Sequence, residues 1–406
     1  MSVITSQAAG RLRLFSQPDF RRLWLVGVVV FGVRWLEMLA VGVFVYQRTG
    51  SPFAVALMTM MRMLPMGLFG AVIGAAAERI ERRTALVLAV LSMLLTSLSL
   101  AVLAYAGRLA IWHLALASFF GGIGWAADNP VRRTLIGDVV GADGVGAAMS
   151  LDVGANNASR MLGPTLGGAL LATLGIAGAF SVSVLAYGVA IVAALRVGHR
   201  GARTAGGSAN VLVRMLEGFD LVRGDRRLLG TLLVTIVYNL FGWSFTSMIP
   251  VIGQDNLHLG AGGIGVLASM DGVGAFCGAL LMMFYARPRF YGRLYVGGTI
   301  GYLLMLIAFA LSPTPLLAGL ALLFTGLTSA GFSIMQATLV YLAAPPEMRS
   351  RVYGVLSVCI GVGLLGFVHV GLLAGLVGAA CATVATGVEG LLVLALTARW
   401  WRVVGV

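Results

Sequence analysis

Stretches of about 20 mostly apolar residues follow one another along nearly the whole chain, separated by short polar connections. That is the length an α-helix needs to cross the roughly 30 Å hydrocarbon core of a bilayer. The stretches run over 22–46, 53–76, 84–106, 109–128, 146–173 and 176–197, then 228–252, 261–285, 294–311, 315–344, 350–374 and 377–398. Of the 406 residues, 59% are apolar and 11% charged. A soluble domain has too little interior to hide that much apolar side chain. The expected fold is an all-α membrane protein with twelve transmembrane helices, kinked or tilted where Pro65, Pro164 and Pro250 fall.

The net charge of +13 comes entirely from Arg, since the chain has no Lys. The arginines sit in short clusters between apolar runs, the pattern of a positive-inside membrane protein and not of a nucleic-acid surface. One set of connections holds Arg79, Arg82 and Arg83, Arg132 and Arg133, Arg287, Arg289 and Arg293, and Arg349 and Arg351. The opposite set holds little beyond Arg48 and Arg108. Both termini are therefore expected in the cytoplasm of a multi-pass protein of a bacterial inner membrane. Arg11, Arg13, Arg21 and Arg22 precede a first apolar run too long for a signal peptide, which reads as an uncleaved span.

The longest connection, 198–227, divides the chain into an expected six-helix bundle over 1–197 and a second over 228–406. Its end, from Val211 to Leu229, places Val211, Met215, Phe219 and Val222 at roughly helical spacing, as in a linker helix or one lying on the membrane surface. The basic connections recur at matching places in the two halves, a known plan for transporters built from repeats. Cys277, Cys359 and Cys381 lack metal-ligand spacing and read as small buried hydrophobes. No metal or cofactor is expected. A chain without Lys has no ATP-binding G-x-x-x-x-G-K-[ST] loop, and no soluble catalytic domain is present. An enzyme is not expected.

Three patterns are more specific. Gly74-Ala-Ala-Ala-Glu78-Arg79-Ile-Glu-Arg82-Arg83 follows the second span. It resembles the G-x-x-x-D-R-x-G-R-R signature of the major facilitator superfamily, with Glu78 for Asp and Glu81 for Gly. A carboxylate there can cap a helix and pair with Arg, locking the cytoplasmic side, with Asp128 a further partner. Gly154, Gly163-Pro164 and Gly167-Gly168 in the fifth span resemble the antiporter motif of drug exporters in that superfamily; small residues also serve ordinary helix packing. Phe20-Arg21-Arg22-Leu23-Trp24, Thr49-Gly50-Ser51-Pro52, Arg62 and Pro65 resemble the branch that contains enterobactin and macrolide exporters. Asn129-Pro130-x-Arg132 and Pro346-Glu347-x-Arg349-x-Arg351 fit its repeated loops. The resemblance implies two six-helix bundles with alternating access, exporting a small molecule by proton exchange. A uniporter or flippase for a lipid-like substrate and an uptake carrier are the alternatives. Membrane lipids are the other expected partner, and a monomer the expected state.

Ionisable residues within membrane spans are costly, and so mark functional positions. Arg34 and Glu37 share one face of the first span, Arg62 lies at comparable depth in the second, and Arg160 is deep in the fifth. Asp271 and Glu389 fall near the middles of the eighth and twelfth. Glu37 reads either as a proton carrier tuned by Arg34 and Arg62, or as one member of a fixed ion-pair lock among the three. Asp271 is expected to pair with an Arg, and Glu389 to turn in against its bundle. For a substrate cavity, the spans that the resemblance assigns to it supply Phe31, Tyr46, Phe119, Asn239, Trp243, Phe332 and Gln336. Apolar walls with a few polar groups suit an amphipathic molecule.

Overall fold

The computed structural model describes residues 14–78, 80–199, 219–345 and 348–404. They are helical nearly throughout and include no strand. Three helices open the chain: α1 (Pro18–Thr49), α2 (Pro52–Glu78) and α3 (Arg82–Tyr105). Ser51 starts α2 sharply, because its hydroxyl accepts the Ala54 N–H and Pro52 sits where no backbone donor is needed.

The next helical run, Ile111–Leu195, is 85 residues long. At 1.5 Å per residue it would measure about 128 Å, several times a bilayer's thickness. It is broken at Gly141 (φ 72°, ψ 178°) and Gly175 (φ 67°, ψ −175°). Only Gly readily adopts that backbone conformation, so each reverses the chain within a single residue. The result is α4 (111–140), α5 (142–174) and α6 (176–195).

α7 covers Arg226–Asp255 and changes character along its length. An α-helix to Val237 widens to a π-turn over Tyr238–Gly242, tightens to a 3₁₀ segment over Trp243–Met248, and resumes at Ile249. Two residues account for this. Asn239 donates its side-chain amide to the Thr235 carbonyl, competing for a helical acceptor. Pro250 brings no N–H to the turn before it. α8 (Ala261–Tyr285), α9 (Tyr291–Ala310) and α10 (Pro315–Ala343) follow. α11 has two pieces, Arg349–Gly361 and Gly363–Val377, and Gly378 (φ 85°, ψ 156°) turns it into α12 (Ala379–Leu396). The described residues thus form twelve helices at the places of the expected spans; most ends are displaced by a few residues, but α4 runs on to 140, well past the expected 128. Of the connection expected to hold a surface helix, 219–224 is helical, and 200–218 lies outside the described residues.

Contacts divide the chain into two compact units, Met1–Val41 with Met61–Gly207 and Gly42–Met60 with Ser208–Val406. In the first, Phe20, Leu23 and Val26 of α1 pack with Leu86 and Val90 of α3, Leu135 and Ile136 of α4, and Ala190 and Ala194 of α6. The end of α6 is clamped: Arg83 and Arg22 donate to the carbonyls of Leu195 and Arg196, and Asp19 accepts the N–H groups of Gly198 and His199. The two carbonyls are groups that a helix C-terminus leaves without partners. In the second unit, Leu228 and Leu232 of α7 pack with Val340 of α10 and Val352, Val355 and Leu356 of α11.

The cysteines correct one expectation. Cys359 is buried, but Cys277 and Cys381 are exposed. In lipid a small apolar side chain gains nothing by turning inward, so a buried place does not follow from apolar character.

Gly175→Val forces a β-branched residue into a conformation costing about 1–3 kcal/mol. The detergent-solubilised protein should unfold several degrees lower, while Gly188→Ala, in open space on α6, should leave Tm within about a degree.

Candidate functional site

Close backbone approach positions the central group of the first unit. A side chain built on Gly163 would stand 3.2 Å from the Leu36 nitrogen and 3.3 Å from the Gly32 carbonyl oxygen, and one on Gly167 would strike the Leu36 carbonyl. One helical turn apart on α5, these glycines grip α1 through its backbone. Pro164 and Gly168 lie buried beside them, whereas Gly154 faces open space and has no part in the grip. The next residue along α1 is Glu37.

The Glu37 carboxylate is 6% exposed and held on both oxygens. Arg62 of α2 approaches Oε2 at 3.2 Å, and the Ser97 hydroxyl of α3 donates to Oε1 at 2.7 Å. Arg62 also reaches the Arg34 carbonyl oxygen, at 3.5 Å. On α4, Gly122 lets the backbone press against the Arg62 carbonyl. A cavity of about 20 Å³, room for one water, adjoins Glu37 and Arg62, with Thr96, Ser97, Ser118 and Tyr187 in its wall.

Arg34 does not join Glu37. Its guanidinium donates to Asn156 Oδ1 at 3.1 Å and lies 4.9 Å and 4.4 Å from the ring centres of Trp35 and Trp125. A three-membered Arg34–Glu37–Arg62 lock is therefore corrected to a pair plus an aromatic-boxed cation. Spacing along α1 puts Arg34 on the right face, but the indole faces offer a desolvated cation about 2 kcal/mol or more, and Arg62 already occupies Glu37. The Arg160 guanidinium also lies over the Trp35 ring, 5.8 Å from its centre.

At the Arg-loop ends of these helices, Arg132 is fully buried between Asp128 and Asp152, and Asp152 also receives Arg133 at 2.9 Å. Gly27 of α1 leaves room for this guanidinium, and the Phe31 ring lies 4.8 Å from it. Phe31 is thus an enclosed packing surface for Arg132, not an open cavity wall. Arg82 pairs with Asp138 at 2.5 Å, a partner the sequence did not single out. Of the other gate residues, Gly74 and Glu78 belong to the last turns of α2, and Arg79 lies outside the described residues, as do Pro346 and Glu347.

The second unit gathers Asn239, Phe332 and Gln336 but leaves Trp243 apart. Gln336 donates to the Thr235 hydroxyl at 3.0 Å, which meets the Tyr295 hydroxyl at 2.8 Å. Phe332 stacks between Tyr238 and Tyr295, with ring centres 3.6 Å and 5.3 Å away. Trp243 packs edge-on against Phe367. Phe119 packs against Phe120 in the first unit, and the Tyr46 hydroxyl donates to Asp255 in the second. Each of the seven is engaged within its own unit, on a neighbouring side chain or in helix packing. Asp271 is buried on α8, where Gly326 of α10 presses against its backbone. Glu389 corrects its expectation: it does not turn inward but stands 40% exposed and is held by His369 at 2.7 Å.

Residues 9–403 match the model of a family described as transmembrane secretion effector. The chain belongs to this family of major facilitator transporters, which are not enzymes. The transporter is 27% identical over 368 residues to an enterobactin exporter of Citrobacter koseri, covering 87% of this chain and 86% of that one. It is 21% identical over 357 residues to macrolide efflux protein A of Streptococcus pyogenes, covering 85% and 87%. In fold it is similar to a bacterial homologue of the human lysosomal transporter Spinster, with a TM-score of 0.72 at 16% identity over 96% and 97% of the two chains. Ser97, Asn156 and Trp125, the partners of its charged site, carry no signal of their own in an apolar sequence.

Removing one member of a buried ion pair costs about 3–5 kcal/mol, because the other charge is left unpaired. Arg62→Met should lower the unfolding temperature strongly, and Glu37→Gln added to it should recover much of the loss. Thermal unfolding of both single variants and the double variant measures this coupling.

Proposed function

We propose that this transporter exports a small amphipathic molecule in exchange for protons, with Glu37 as the proton-carrying group. The observation that supports this most is the Glu37 site itself: a carboxylate deep in the helices, held by a serine hydroxyl and one arginine, beside a cavity with room for a water. A proton needs an acceptor that can be neutral or charged and a path of water to reach it. The chamber beside Glu37 has room for a water and not for an organic substrate in this conformation.

Export, over uptake or lipid-like uniport, is the direction favoured by the relatives, whose names specify macrolide and enterobactin. The boxed cation at Arg34, the Trp125 ring beside it and the aromatic cluster around Phe332 suit a molecule with apolar bulk and a few polar groups. In this reading two six-helix bundles, 1–197 and 228–406, alternate access about the cavity, both termini lie in the cytoplasm of a bacterial inner membrane, and the protein works as a monomer.

A fixed Glu37–Arg62 lock is the second reading, favoured by their 3.2 Å separation. Everted vesicles separate the two, with labelled erythromycin and enterobactin as the first compounds. Under an imposed pH gradient, Glu37→Gln should lose concentrative transport by tenfold or more while keeping substrate counterflow, which needs a folded carrier but no net proton movement. Undiminished gradient-driven transport by Glu37→Gln would leave only the lock.

A further inference from the structure

The His369–Glu389 pair is separate from every site above. Glu389 lies about 15 Å along α12 from Ala379, and His369 lies on α11 at comparable depth. Their side chains are 40% and 39% exposed. Around them, Leu365, Leu372 and Leu376 of α11 and Val388, Leu392 and Leu396 of α12 are exposed too. Such a surface in mid-span faces lipid. Ionisable groups rarely do, since charge in hydrocarbon costs several kcal/mol.

A 2.7 Å contact between Nε2 and a carboxylate oxygen holds a proton between them. The pair is neutral when the other ring nitrogen also carries a hydrogen, as carboxyl and imidazole or as carboxylate and imidazolium. Neutrality makes it tolerable in lipid, and the remaining oxygen, Oε1, has no hydrogen bond among the described residues. Beside it opens a cavity of about 460 Å³, lined by Leu311 at the end of α9 and by Ala380, Cys381, Val384, Ala385 and Val388 of α12, with Glu389 on its wall. Phe241 of α7 turns its edge to the His369 ring. Among the lining residues the only other titratable group is the Cys381 thiol.

We propose that this cavity binds lipophilic amines that enter from the bilayer as the uncharged base. The volume suits a drug-sized body. The amine nitrogen takes one of the pair's two exchangeable protons through its lone pair; the ammonium formed then lies against Oε1 of the Glu389 carboxylate, and His369 keeps the other proton on Nε2, where it donates to Oε2. No proton leaves the site, and the assembly is neutral before and after, as a low-dielectric site requires. A permanent cation would instead add a net charge in lipid, and an acyl chain would fill the cavity without using Glu389. The amine is the occupant that uses both features.

The test is equilibrium binding of tritiated imipramine, a lipophilic tertiary amine, to the full-length protein in phosphatidylcholine nanodiscs. Wild type should bind saturably, and tetraphenylphosphonium, a permanent cation, should not displace the label. Glu389→Gln should weaken binding at least tenfold, and Ala385→Trp, which fills the cavity without touching the pair, should abolish it. Gly188→Ala, in open space on α6, should bind as wild type does. Full affinity in Glu389→Gln overturns the proposal in favour of an apolar or acyl-chain site. Displacement by tetraphenylphosphonium overturns it without recourse to any variant. Loss in Glu37→Gln with retention in Glu389→Gln moves the amine to the first unit and overturns it as well.

Discussion

Glu37 can exist where it does only because three neighbouring helices each supply something to it. A bare carboxylate in a medium of low dielectric would cost far more than any single packing contact returns. Arg62 supplies the opposite charge, Ser97 the hydrogen bond to the second oxygen, and the glycines of α5 the close approach that keeps α1 in register with both. α4 joins the same arrangement by pressing Gly122 against the Arg62 backbone. Take away the requirement to hold this one carboxylate, and there is little reason for α1, α2, α3, α4 and α5 to meet at the depths they do.

The second unit uses the same packing device on a different cargo. Gly363 and Gly366 of α11 meet the backbone of Asn239 and Leu240 as Gly163 and Gly167 of α5 meet that of Leu36. The span gripped in the first unit is a regular helix carrying a charge. The one gripped in the second is a π-turn carrying an amide, with Thr235, Tyr295 and Gln336 joined in a hydrogen-bonded cluster. Widened turns tend to occur at functional positions because they re-aim side chains within a helix. Here the widening follows from Asn239 bonding back to Thr235, and the tightening beyond it from Pro250.

The spans were legible because each must bury its backbone in lipid, and only a long apolar helix does that. Gly163 and Pro164 stood out through their backbones, the first for lacking a side chain and the second for lacking an N–H. Other features left weaker traces. Ser97 sits in a run of Ser, Thr and Leu, where a hydroxyl usually bonds its own helix, as Ser99 and Thr96 do. Arg34 and Glu37 are spaced to meet, and only the indoles brought from elsewhere decide otherwise. Glu389 looked misplaced because its partner is on another helix, 20 residues away in sequence. Single-chain periodicity reports which face a residue occupies, not what the opposite helix brings to it.

Gly175 and Gly378 join neighbouring spans through one residue each, with no loop between them. A connection that short has no slack: its two dihedrals are already fixed in a conformation with few neighbours, and stretching or twisting it would break the last turn of a helix. α5 and α6 must therefore travel as a rigid hairpin, and so must α11 and α12. The glycine grip on α1 and the His369–Glu389 bridge are then carried along by the moving parts, so displacement of α5 is felt at once at Glu37.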